Sequence, residues 1–238
     1  MQPLRLALTA LLLLALPRPA SALFHFSVID EVMTSYEGNA NVQFVEIRML
    51  SGSQNRVEDT VLARFDAAGN YQGDLLVVGA DVTNASAGTR WIMGTTAFET
   101  VSGIQVDFEF TPGLIQGSGM VCWGAPENLL PPPPTWDREN LANYIDCLAY
   151  GAYTGATHSH AGTPTPLDAD GHSLVRISEE DDNALDFACG DPASPTNNAG
   201  DSASLVATIP CPEPAAPLLL ATGALALVLS RSARSRPA

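Results

Sequence analysis

Short apolar runs, each closed by Gly, Pro, Asn or Asp, recur through residues 23–210. FHFSVIDEV (24–32) and VQFVEIRML (42–50) are rich in β-branched and aromatic residues, which suit a pleated, half-buried strand. In the second run Val42, Phe44, Glu46 and Arg48 alternate with Gln43, Val45, Ile47 and Met49. Successive strand side chains point to opposite faces, so Phe44 and Val45 are expected to bury on opposite sides. TVLARFD (60–66) and GDLLVVG (73–79) flank AAGNYQ, where Gly69 and Asn70 provide a hairpin turn. Residues 95–101 read as a short helix. Further strands are expected at IQVDFEF (104–110), GMVCWG (119–124), YIDCLAYG (144–151), SLVRI (173–177) and ALDFA (184–188). About nine short strands with turn residues between them predict a β-sandwich or barrel. Four consecutive prolines at 131–134 cannot donate to a ladder and mark a loop of polyproline II character.

The ends break the pattern. Arg5 precedes a leucine-rich run over 6–16, which Pro17 closes, and Ala20-Ser21-Ala22 follows. This layout predicts a signal peptide over 1–22, cut between Ala22 and Leu23. The other end carries Pro212-Glu213-Pro214, an apolar stretch over 215–229 and then Arg231, Arg234 and Arg236. As a helix that stretch reaches ~22 Å, a short span against the ~30 Å hydrocarbon core of a bilayer. Its basic end is expected to stay cytoplasmic, with the body outside. In this order of parts the tail resembles the PEP-CTERM sorting signal of Gram-negative bacteria. The resemblance implies a transmembrane stretch and recognition at Pro-Glu-Pro by a membrane sorting protease of the exosortase type. The expected divisions are thus a signal peptide at 1–22, one β domain at 23–205 and a sorting tail at 206–238.

Removing the ends sharpens the charge. The chain has no Lys, and residues 23–210 hold 6 Arg against 25 acidic residues, a net charge of −19. Such a surface repels phosphate backbones, which excludes nucleic acid as a partner. In an exported chain Cys122, Cys147, Cys189 and Cys211 are expected as disulfides. Three pairings are open. If the strands carrying Cys122 and Cys147 pair across the proline loop, these two can meet, at roughly 3 kcal/mol of stabilisation; Cys189–Cys211 would then tie the last strand to the stem of the tail.

Candidate chemistry is sparse. GHSLV (171–175) begins like a nucleophile elbow, but Val175 stands where the second Gly is needed and no His follows Ser173. Asp168-Ala-Asp170-Gly171 has part of a calcium loop, with Glu179 at the twelfth position but Gly fourth rather than sixth. Turn chemistry accounts for the same residues, so no cofactor is expected, with Ca2+ near Asp168 and Asp170 the one candidate. His158 and His160 share one side of an extended segment without an evident third ligand. Trp123 is expected in the core, and Trp136 beside the proline loop is expected to be exposed.

The segment from 171 to 200 carries Ser173-Leu174 with Arg176 two residues on, an acidic turn, Asp186-Phe187, and Ser194-Pro195-Thr196-Asn197. This order resembles the closing pattern of the lamin tail domain family, and Phe44-Val45-Glu46-Ile47 is similar to its early strand. The resemblance implies an immunoglobulin-like β-sandwich and a binding or scaffolding role, and it carries over no catalytic residues. The expected protein is an exported, surface-displayed or matrix-associated, non-catalytic module. Its expected partners are the export machinery, a sorting protease, and an envelope polysaccharide or surface protein. A secreted hydrolase using carboxylates of the acidic loops is the alternative.

Overall fold

The computed structural model describes residues 24–126, 135–207 and Cys211. The expected signal peptide with its Ala22–Leu23 cut, the proline run, Pro212-Glu213-Pro214 and the apolar tail stretch lie outside the described residues.

Among the described residues ten strands form two stacked sheets, an all-β sandwich. The larger sheet is built from β1 (Ser27–Met33), β2 (Phe44–Met49), β5 (Arg90–Gly94), β6 (Phe108–Glu109), β9 (Ser173–Arg176) and β10 (Phe187–Gly190), in the order β10-β9-β1-β2-β5-β6. The smaller sheet contains β3 (Val61–Phe65), β4 (Tyr71–Val77), β7 (Gly119–Gly124) and β8 (Asp146–Tyr150), in the order β4-β3-β7-β8. Neighbouring strands are antiparallel except β5 and β6.

Between the sheets, Ile29, Val45, Ile47, Met49, Trp91 and Met93 meet Leu62, Val121, Trp123, Leu148 and Tyr150. Trp91 and Trp123 stack edge-on at 5.4 Å between ring centroids. Trp123 is therefore a core residue, as its sequence context predicts, and its indole N–H donates to Thr60 Oγ1 at 3.1 Å. Both outer faces are also covered. On the larger sheet Met33, Phe44 and Ile92 pack under Phe98 and the segment carrying Ala193 and Leu205. On the smaller sheet Val61, Ala63, Phe65, Met120, Cys122, Cys147 and Ala149 lie under Tyr144, Tyr153 and Ala161. This double burial puts Phe44 and Val45 in different clusters, as the strand period requires.

Helix α1 (Thr96–Ser102) forms where expected. Thr95 caps it by accepting from Phe98 N–H, and Gly103 ends it at φ 75°, a left-handed conformation that glycine tolerates without steric cost. Phe98 packs on Phe44 at 4.8 Å.

Three expectations need correction. The strand over 104–110 shrinks to β6, because Glu99 Oε1 takes the Val106 N–H and Asp107 Oδ2 takes the Ile92 N–H. ALDFA is not one strand. Asp182 caps a helical turn, α2 (Asn183–Asp186), and β10 starts only at Phe187. Trp136 is half-buried rather than exposed: it packs edge-on against Tyr144, and the Arg138 guanidinium covers its ring at 3.9 Å. Strand β5 has no counterpart in the sequence expectation. Its outward Ile92 is as buried as its inward Trp91 and Met93, so RWIMG shows no clean alternation.

Candidate functional site

Strand β1 is irregular where the site lies. Its pairing with β2 shifts register between Ile29 and Glu31. The extra residue lets Ile29 and Val32 both enter the core although they are three apart. It also sets Asp30 and Glu31 side by side on the outer face. There Asp30 binds Arg48 Nε at 2.6 Å and Arg90 Nε at 2.7 Å, and Arg90 Nε also reaches Glu46 Oε1 at 2.9 Å. Arg48 continues to Glu179 at 3.0 Å.

Glu31 and Glu46 stand directly opposite across β1 and β2, both buried. Burial, together with the Glu31 charge, lifts the Glu46 carboxyl to about 9, and burial lifts Glu31 as well. A like charge on the opposed strand disfavours ionisation of a buried carboxyl, which adds to the effect of burial at Glu46. Glu46 faces donors on both oxygens, Arg90 and the Thr196 N–H. Glu31 instead touches Ser173 Oγ, which also lies 3.2 Å from the Gly190 carbonyl. The Ser173 hydroxyl donates to Glu31 Oε1, with the Gly190 carbonyl as a second acceptor within reach. Glu31 also accepts the Ser194 N–H at 3.1 Å. Two carboxyls thus hold the exit segment Ser194-Pro195-Thr196-Asn197 against the larger sheet. Ser173 is wholly buried inside this arrangement.

A second charged group lies between the sheets. Arg176 Nε donates to the Ile29 carbonyl, Nη2 to Asp146 at 2.6 Å and Nη1 to Asp186 at 3.2 Å. Burial raises the Asp146 carboxyl, against the pull of Arg176 and of the Ile29 and Cys147 N–H groups. Asp186 further accepts from Ser178 Oγ and from the Glu180 and Asp182 N–H groups, which shapes the acidic turn. Arg176 also covers the Phe187 ring at 4.6 Å. Arg176, Asp186 and Phe187, read separately along the chain, therefore meet at one point and join β9 to β8 of the other sheet.

Beside this point a cleft of about 380 Å³ opens, lined by His25–Val28, Leu50, Ile145, Asp146, His160, Arg176, Glu179 and Asp181. Phe26 stands 65% exposed at its edge. Ser27 is 2% exposed, yet its hydroxyl has no hydrogen-bond partner, and neither does His25 Nε2. His160 Nδ1 lies 2.9 Å from Asp181 Oδ1. No sequence motif marks this cleft. His25, Asp146, His160 and Arg176 come from four separated segments, and only pairing of the sheets brings them together.

The remaining sequence candidates are placed as follows. Cys122 and Cys147 face each other across β7 and β8 and are bonded, and Cys189 is bonded to Cys211. Asp168 Oδ1 accepts the Asp170 N–H at 3.2 Å, while Asp170 Oδ1 accepts from the Thr34 hydroxyl. Both are thus engaged in turn and strand contacts. His158 and His160 are adjacent, with ring centroids 5.1 Å apart. Among the described residues, no three His, Cys, Asp or Glu side chains converge as a metal site. No helix among those residues is long and apolar enough to cross a membrane. No family model, curated protein or solved structure matches the chain.

Proposed function

We propose that the chain is an exported, non-catalytic binding or structural module, displayed at the cell surface or in a surface matrix. In this reading it is an immunoglobulin-like sandwich akin to the lamin tail domain, delivered by its two processing ends. One observation carries the reading. The residues that give the lamin-tail resemblance, Glu46, Ser173, Arg176, Asp186 and Ser194, are all engaged in holding the two sheets and the exit segment together. They make a scaffold, which leaves function to the loops and the cleft at its edge. Two disulfides support an oxidising compartment, where such bonds persist. The acidic surface supports a polysaccharide or a protein as partner rather than nucleic acid.

Incubating the purified full-length chain with envelope polysaccharides, and scoring both retention and release of reducing ends, tests the reading. Retention without release is the expected result. Release of reducing ends that is lost in Asp181→Asn would establish the hydrolase alternative instead.

A further inference from the structure

Within the binding-module reading, we infer that the cleft beside Arg176 is a binding site for an amino sugar, one or two residues at the end of a glycan. Size is the first argument. At about 380 Å³ the cleft lies near the lower end of the range for small-ligand sites, ~300–1,000 Å³. It accommodates one or two rings rather than a folded partner.

The second argument is what the wall leaves unpaired. A buried hydroxyl without a partner is costly; Ser27 Oγ is in that state, and His25 Nε2 also lacks a partner. Both line the cleft. A hydroxylated ligand suits such a polar wall, since each sugar hydroxyl both donates and accepts. Phe26, Leu50 and Ile145 give the same cleft an apolar side, and Phe26 offers an exposed ring for the apolar face of a sugar.

Charge then selects among hydroxylated ligands. Arg176 is the single Arg in the wall among the described residues, and its three guanidinium nitrogens already bind Ile29, Asp146 and Asp186. An anionic sugar therefore meets a guanidinium whose charge is already balanced by two buried carboxylates. Glu179 and Asp181 each use one oxygen, on Arg48 and His160 respectively. Each has a second oxygen for an ammonium group, and both side chains are substantially exposed at the rim. Amine, hydroxyls and a ring face occur together on an amino sugar.

Calorimetric titration of the full-length, oxidised chain tests this with four probes: a β-linked glucosamine disaccharide, its N-acetylated form, cellobiose and glucuronic acid. The glucosamine disaccharide is expected to bind about tenfold more tightly than cellobiose, one charge-assisted contact's worth, and glucuronic acid is expected not to bind. Phe26→Ala and Asp181→Asn, both at exposed positions, are each expected to weaken binding about tenfold. Equal affinity for glucuronic acid, binding unchanged in both variants, or no binding of any probe overturns the assignment. Retention of whole polysaccharide that survives both variants overturns the cleft assignment and leaves the binding-module reading standing. Glycan turnover would sink that broader reading itself.

Discussion

Arg176 is the residue on which the two sheets depend most directly. It is 3% exposed, and it satisfies two carboxylates that are as deeply buried as itself. Removing one member of such a group strands the others without a counter-charge, which costs more than the intact group contributes. Arg176→Met is expected to lower the free energy of unfolding by about 3–5 kcal/mol, read as a lower urea midpoint. The Glu31–Glu46 pair gives a second residue-scale prediction, in pH. The folded-state pKa of Glu46 is raised from 4.5 to about 9. A raised carboxyl favours its protonated form in the fold, so its contribution is fully present below pH 4.5 and is lost as pH rises towards about 9. Glu31→Gln removes the like charge, and its amide oxygen can still accept from Ser173 and Ser194. The decline in melting temperature over that window is expected to be smaller in Glu31→Gln than in the native chain; an identical decline would show that the Glu31 charge does not lift Glu46.

At the scale of elements, the chain's short strands are fastened by covalent and side-chain links more than by ladder length. Cys122–Cys147 joins directly opposed positions of β7 and β8, 25 residues apart in sequence. Replacing both by Ala is expected to cost about 3 kcal/mol of stability by the loop-entropy argument, measured by denaturant unfolding under oxidising conditions. Much of this level was legible in the sequence. The β3–β4 hairpin, β2, β7, β8, β9 and the helix after Thr95 all follow from local pattern and turn chemistry. The failures share a cause. Asp107 and Asp182 bind backbone N–H groups that a local reading assigns to ladders, so 104–110 and 184–188 look more extended than they are. Strand β5 shows no alternation, because its outward Ile92 packs with Phe98 of α1.

In the whole molecule, the exit segment is a strap across the outer face of the larger sheet. Ala193 bridges Leu205, Thr196 bridges Ser202, and Glu31 and Glu46 accept the N–H groups of Ser194 and Thr196. Cys189–Cys211 closes the strap into a loop. Replacing both cysteines by Ser is expected to speed amide exchange within 193–207 while leaving β1, β2 and β7 protected, because those strands also bury a full face between the two sheets, away from the strap. Uniform loss of protection would instead make the strap part of the core's folding unit.

By itself the sequence determined the all-β character, the acidic and lysine-free composition and the core position of Trp123, and it favoured Cys122–Cys147 on the condition that their strands pair. These depend on side-chain period, composition and neighbours in the chain, which are local quantities. Tertiary structure alone decided that Glu46 grips the Ser194–Thr196 turn, that Arg176 joins opposite sheets, and that His25, Ser27, His160 and Asp181 share one cleft. Each of these joins residues far apart in the chain, and such a meeting is set by sheet order and by the register shift at Asp30, which no local pattern encodes.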